Sequence, residues 1–263
     1  MMAESLVQYA CEDRVATITF NRPHKLNAFT DDMVREFSDV LRHFDLDPDA
    51  NVAILCGAGR AFSAGADVQQ RQLRTREEFD RNGGPQGWGA NASELLMRSV
   101  NWKPIIAAPH GYAVGLGLGL TMESDLVVAE EGTKFQVAET KRGLAASRYW
   151  ALLNLRAGST FATELVLTGR FFTAEEALAA GMINRVAKKG GHLEGARALA
   201  REIASNPPLS VRATVRSRRW YMELAEKEAY LQTTPLKLHL TEDFAESARA
   251  FAEKRKPGPY IGR

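Results

Sequence analysis

HGYAVGLGLGLTMESD, His110–Asp125, is the stretch on which the reading of this chain turns. It places four glycines in nine residues, Gly111, Gly115, Gly117 and Gly119. It follows the apolar segment Ile105–Pro109, which reads as a buried strand, and it runs into an apolar segment of helical character. A glycine cluster lets backbone come close to something else, because no Cβ stands in the way. A helix that starts beside such a cluster offers N–H groups without intrahelical partners to a developing negative charge. The same glycines also suit a helix packed tightly on a sheet, so the flanking chain has to decide.

Upstream, Val52–Cys56 is wholly apolar, as expected of a strand in a sheet covered on both faces. GAGRAFSAGADV, Gly57–Val68, follows it and is dominated by small residues, tightest at Gly65–Ala66. Leu6–Ala10 and Val15–Phe20 read as two strands joined by a polar turn. Asn21–Phe29 reads as an irregular loop, and Thr30 as the cap of a helix over Asp31–Phe44. In that helix Met33, Phe37, Leu41 and Phe44 recur at helical spacing. Gln69–Arg81 is expected to be helical, Asn82–Ala92 a Gly-rich loop and Ser93–Val100 a helix.

Downstream, Leu126–Ala129 reads as a buried strand and Phe135–Leu144 as mostly irregular. The pattern is helical from Ser147 onward, with one helix over Ser159–Thr168. Thr173 and Glu176 form a capping-box signature, and Ile183–Val186 reads as an edge strand. Three long helices are expected over Leu193–Ser205, Leu209–Gln232 and Pro235–Lys254. Strands alternating with helices early, and helices alone late, argue for an α/β fold with a helical C-terminal part. The division is placed at 1–195 for the core and 196–263 for the helical region.

Composition narrows the function classes. The 263 residues are 45% hydrophobic and 25% charged, which suits one large globular domain, or one domain plus a helical appendage. A formal charge of +2 gives no reason to expect nucleic acid or an anionic membrane as partner. No apolar run approaches the roughly 18 residues of a membrane span, and no export signal is evident, so a cytoplasmic location is expected. Cys11 and Cys56 read as reduced thiols. Gly115-x-Gly117-x-Gly119 lacks the spacing of a dinucleotide fingerprint, and GAGRAF lacks the Lys-Ser/Thr of a P-loop. His24, His43, His110, His192 and His239 make no i, i+4 pair, so no metal is expected. The arginines from Arg197 to Arg219 read as a solvated helix face.

Three segments taken together resemble the crotonase superfamily, the enoyl-CoA hydratase/isomerase group. They are ITFNRPHKLNAF (Ile18–Phe29), GRAFSAGADV (Gly59–Val68) and PIIAAPHGYAVGLGLGLTMESDLVVA (Pro104–Ala129). LTGRFFTAEEALAAGMINRV (Leu167–Val186) and FAEKRKP (Phe251–Pro257) extend the resemblance over nearly the whole chain. It implies a core of repeated ββα turns with a helical C-terminal trimerisation region, assembled as a homotrimer or homohexamer. It implies an acyl-CoA substrate, with coenzyme A arriving as part of that substrate and no separate cofactor. The shared chemistry is an enolate held at the thioester oxygen by two backbone N–H groups, and the matching positions are Ala66 and Leu116.

Classical hydratases of the family use two glutamates around a water. The first position is Gly119 here; Glu123, a full turn or about 6 Å further along a helix, is expected to be structural. The second matches the F-x-x-x-E pattern of Phe135 and Glu139, so Glu139 is the expected acid/base. GLAAS, Gly143–Ser147, resembles the GLAAD of dienoyl-CoA isomerases, and Ser147-Arg148-Tyr149-Trp150 replaces the hydratases' Pro-Gly-Gly turn. The resemblance further implies coenzyme A contacts at Lys25, Leu26, Ala28, Ala64, Ala66, Asp67, Val68 and Gln69. Phe251 and Lys254 match residues that often reach a neighbouring subunit's coenzyme A. The leading expectation is hydratase/isomerase chemistry with one glutamate. A single-base isomerase or dehydratase and a catalytically degenerate acyl-CoA binder are the alternatives.

Overall fold

The computed structural model describes residues 5–82 and 102–263. Six strands form the larger sheet, in the order β1-β2-β3-β4-β6-β9. These are Val7–Glu12 (β1), Val15–Phe20 (β2), Val52–Gly57 (β3), Ile105–Ala107 (β4), Leu126–Glu130 (β6) and Arg185–Ala187 (β9). The β1–β2 hairpin is antiparallel and every other pairing is parallel. Parallel strands are buried on both faces, and the alternation here is clean. Ala53, Leu55 and Ala107 face the main apolar core. Ile54, Cys56, Ile106 and Val128 face a second cluster, completed by Ala196 and Ala200.

A smaller sheet joins Tyr112–Val114 (β5), Lys134–Gln136 (β7) and Phe171–Thr173 (β8) in the order β5-β7-β8. The chain therefore makes ββα turns: β4 and β5 lead into a helix over Leu116–Glu123, and β6 and β7 lead towards one over Ser147–Ala157. The preceding turn, after β3, adds only an isolated parallel bridge, Ser63 to Ala113.

The helices are Asp31–Leu46 (α1), Val68–Arg71 (α2), Arg76–Asn82 (α3), Leu116–Glu123 (α4), Ser147–Ala157 (α5), Ser159–Thr168 (α6), Ala174–Ala179 (α7), His192–Ala204 (α8), Pro208–Thr233 (α9) and Glu242–Ala252 (α10). α1 starts where expected: the Thr30 hydroxyl accepts from Met33 N at 3.2 Å, and Met33, Phe37, Leu41 and Phe44 are buried. Phe37 joins Phe20, Phe29 and Phe62 in an edge-to-face cluster with centroids 4.9–5.4 Å from Phe20. α7 carries the full capping box of Thr173 and Glu176.

Several expectations need correction. Phe135–Leu144 is not simply irregular, since it contributes β7. Gln69–Arg81 divides into α2 and α3; Asp67 caps the first, and Thr75 with Glu78 forms reciprocal bonds at the second. The edge strand is Arg185–Ala187, which starts two residues later and ends one residue later than the apolar segment expected to form it. Pro235–Lys254 is not one helix. Pro235 lacks an N–H, and the chain makes two short 3-10 turns, Thr234–Leu236 and Leu238–Leu240, pivoting on Lys237 at φ 44°. Thr241 then caps α10 by accepting from Phe244 N at 3.2 Å. The boundary expected at 195/196 falls within α8, which packs on β3 and β6. Most of the Gly-rich loop expected from Asn82, and the helix expected over 93–100, lie outside the described residues.

Buried charge fastens α9 to α4. Asp125, just past the end of α4, accepts from Arg218 at 2.9 Å, from Arg219 at 2.6 Å and from Ile105 N at 2.8 Å. Among the described residues no helix is long and apolar enough to cross a membrane. Removing one partner of a buried ion pair strands the other charge. Asp125→Ala is expected to cost about 3–5 kcal/mol in chemical denaturation, with amide exchange accelerated first in α9.

Candidate active site

A cavity of about 1260 Å³ is walled by the smaller sheet, the loops that follow β2 and β3, and the C-terminal segment. Lys25, Leu26, Ala28, Ala64, Ala66, Asp67, Val68, Gln69, Leu116, Glu139, Phe251 and Lys254 all line it. Every residue singled out for chemistry or binding thus stands at one concavity.

Local structure explains how the loops get there. Leu26 and Asn27 adopt left-handed backbone, at φ 51° and 54°. The Asn27 amide then donates to Ala58 O at 2.9 Å and to Ala61 O at 2.8 Å. The Asn27 backbone carbonyl accepts from the Ser63 hydroxyl at 2.8 Å, and Ala64 N donates to Leu26 O at 2.9 Å. The HKLNAF loop is therefore sewn onto the loop that carries Ala66. Asp67 has a structural duty as well: it caps α2 and pairs with Arg22 at 2.8 Å.

The Ala66 and Leu116 amides meet because Gly65 permits a close approach. Gly65 sits at φ +92°, and a Cβ there would lie 2.7 Å from Val114 O and 3.5 Å from Leu116 N. Leu116 is the first residue of α4, so its N–H has no intrahelical acceptor. Neither it nor Ala66 N donates to any acceptor among the described residues. The Leu116 side chain packs into the main core, so the substitution leaves the amide in place.

Glu139 stands against the N-terminus of α4. A Cβ on Gly115 would meet its Oε1 at 3.0 Å. The cavity reaches Glu139 from one side and protein encloses it on the others, and its Oε2 has no hydrogen-bond partner among the described residues. Burial pushes its carboxyl above the usual carboxylate range, opposed by the Tyr149 hydroxyl and by Arg148. Burial likewise drives the Tyr149 phenol well above its ordinary value.

Glu123 does not line the cavity. It forms a buried ion pair with Arg148, which also lies 2.6 Å from Glu226 of α9. Ser147 is likewise absent from the cavity wall; its hydroxyl meets Thr233 Oγ1 at 2.9 Å. Of the three carboxylates lining the cavity among the described residues, Asp67 is paired with Arg22 and Asp80 lies on α3. Glu139 is the one beside the amide pair.

Phe251 and Lys254, which match residues that often reach a neighbouring subunit's coenzyme A, line the cavity of their own chain. The 3-10 turns fold α10 back, and the Arg142 guanidinium lies 3.7 Å from the centroid of the Phe251 ring. The motifs did not single out Tyr230, Thr233, Leu238 and His239, which close the C-terminal wall. The only sequence signal for them was their place before and after Pro235.

The sequence profile of the enoyl-CoA hydratase/isomerase family matches residues 10–259, and the chain belongs to this family, within the crotonase superfamily. It is 36% identical over 244 residues to an enoyl-CoA hydratase of Mycobacterium tuberculosis, covering 91% of each chain. It is also 36% identical over 265 residues to the carnitinyl-CoA dehydratase of Shigella flexneri, covering 97% of this chain and 98% of the other. The crystal structure of a carnitinyl-CoA hydratase from Mycobacterium avium superposes with a TM-score of 0.83 at 32% identity, covering 99% and 100%.

Gly65→Ala tests the amide pair. Crowding against Val114 O is expected to separate the two N–H groups, lowering α-proton exchange of an acyl-CoA thioester in D₂O about 100-fold. A variant that melts cooperatively and exchanges at the wild-type rate would show that the close approach is dispensable.

Proposed function

We propose that this enzyme of the family acts on an enoyl-CoA thioester by single-carboxylate proton transfer. The carrying observation is the placement of Glu139, alone among the cavity carboxylates, beside the N-terminus of α4 where the Leu116 N–H meets Ala66. The thioester oxygen accepts from the Ala66 and Leu116 amides. Glu139 takes a proton from the α-carbon, and the electron pair of the broken C–H bond moves onto the carbonyl oxygen. Each amide donor aimed at that charge contributes roughly 3–4 kcal/mol to the transition state. For a 3-enoyl thioester the product is a dienolate, and Glu139 returns the proton at the γ-carbon to give the 2-enoyl isomer. Glycine at position 119 leaves no second carboxylate there to hold a water. HKLNAF and SAGADV residues grip the nucleotide and pantetheine, with Lys25 and Lys254 as point charges for phosphate.

A second reading is favoured by the relatives named for hydration and dehydration. In it Glu139 takes the α-proton of a 3-hydroxyacyl thioester, the enolate expels the β-hydroxyl, and the protonated Glu139 passes that proton to it so that water leaves; hydration is the reverse, water adding at the β-carbon of the 2-enoyl thioester while its proton passes through Glu139 to the α-carbon. We further propose a cytoplasmic homotrimer or homohexamer, supported by the exposed Trp220, Tyr221, Leu224 and Leu231 on α9.

Assay on 3-enoyl-CoA, 2-enoyl-CoA and 3-hydroxyacyl-CoA separates the two reactions, with Glu139→Gln as control. The Gln variant is expected to lose at least about 100-fold in turnover while still binding acyl-CoA. Turnover equal to wild type would remove Glu139 from the mechanism, and binding without turnover of any thioester would leave a degenerate binder. Because burial raises the Glu139 pKa and the base must be ionised, kcat/KM is expected to climb with pH through a limb above the usual carboxylate range.

A further inference from the structure

Glu139 opens a short turn, and the C-terminal helix grips that turn from behind. The 3-10 turn Thr140–Arg142 follows Glu139 directly, and its hydrogen bonds return to it: Glu139 O accepts from Arg142 N and from Leu144 N, each at 2.9 Å. The Glu139 side chain takes no part in capping the turn. Gly143 ends it at φ +69°, and a Cβ there would lie 3.0 Å from Phe244 Cα and 3.1 Å from Phe244 N. A glycine therefore lets the turn rest on the start of α10. One hydroxyl closes the contact: Ser247 of α10, 3% exposed, donates to Lys141 O at 2.9 Å. We propose that Ser247 is a positioning residue for the proton-transfer step, its hydroxyl tying the turn that starts at Glu139 to α10 and so fixing where the carboxylate stands relative to the Ala66 and Leu116 amides. This rests on the reading of Glu139 as the base.

The other contacts of the turn fit this role. Thr140 Oγ1 donates to Val166 O of α6 at 2.7 Å, which anchors one side. On the other side, Lys141 O receives one further donor among the described residues, the Tyr260 hydroxyl at a long 3.4 Å. Ser247 is thus the close donor there. α10 is itself held: Thr241 caps it, and the Asp243 carboxylate accepts from Ile261 N and Gly262 N, both at 2.9 Å. Phe244 and Ser247 are buried on its inner face, and its end brings Phe251 and Lys254 to the cavity wall. The Arg142 guanidinium lies against that same Phe251 ring. One helix therefore walls the cavity and holds the turn of the base. Proton transfer needs the carboxylate within hydrogen-bond reach of the α-carbon's proton, and a misplacement of about 1 Å is enough to cost about 100-fold in rate.

Butanoyl-CoA is the probe, since it carries α-protons but neither a double bond nor a β-hydroxyl. Its α-proton exchange in D₂O reads the base, and its Kd by calorimetry reads the cavity. Ser247→Ala is expected to slow exchange about 10-fold and to leave Kd within about twofold of wild type. Ser247→Thr keeps the hydroxyl and is expected to restore most of the rate. Ser247→Cys, similar in size but a weak donor, serves if the Ala variant does not fold. Exchange at the wild-type rate in the folded variants overturns the proposal. A loss of affinity in step with the rate also overturns it, because α10 would then shape the cavity and not the base. Glu139→Gln separates the two readings. If it abolishes exchange and Ser247→Ala does not slow it, the positioning role alone fails; if it leaves exchange intact, the reading of Glu139 as base fails and this role with it.

Discussion

The site depends on the register of three short parallel segments. Ser63 bridges to Ala113, and Ala113 pairs with Phe135. The bonds run on either side: Ser63 N donates to Tyr112 O and Val114 N to Ser63 O, both at 3.0 Å, and Gly115 N donates to Gln136 O at 2.9 Å. Successive ββα turns are stacked in this way. Ala66 lies three residues past Ser63, and Leu116 three past Ala113, so the two amides come from equivalent places in adjacent turns. Glu139 lies four residues past Phe135 in the next turn. A slip of one residue would reverse the face presented by a strand and would part the amides from the carboxylate. Gly117 secures the stack, since a Cβ there would strike Ser63 O at 2.7 Å.

α4 carries that register into chemistry because both of its ends are provided for. Its first amides open on the cavity. Its last carbonyls meet cations: Arg156 donates to Met122 O at 2.7 Å and also to Ser124 O, and Arg218 donates to Ser124 O at 3.1 Å. Positive charge at the C-terminus suits the helix dipole, which likewise favours negative charge at the N-terminus. The short, wholly buried helix thus needs the long α9 for its orientation. That is a reason for the buried ion pairs of Asp125 and Glu123, whose desolvation is costly. They fix which residues of α9 lie opposite which residues of α4.

Legibility in the sequence followed the range of the interactions. α1 was readable because its cap and its apolar stripe are local. β3 was readable because burial on both faces leaves an unbroken apolar run. β5, β7 and β8 were not, since a three-residue strand has no period to detect and exists by pairing with residues far away in sequence. The close approach of Ala66 and Leu116 followed from the resemblance, and a backbone donor survives the leucine at 116. The Arg148 ion pairs were invisible, as they join α4, α5 and α9. Tyr149 was visible only as a departure from the family's glycine turn, because ten residues and a change of direction separate it from Glu139.

The carboxylate at Glu139 faces a conflict that its surroundings must resolve. Enclosure makes it a stronger base, and enclosure also makes it hold its proton more tightly than an exposed carboxylate does. A second glutamate nearby would raise its pKa further through like-charge repulsion. Glycine at position 119 removes that repulsion together with the group that would hold a water. Arg148 cannot supply a full counter-charge, because Glu123 and Glu226 already lie against it.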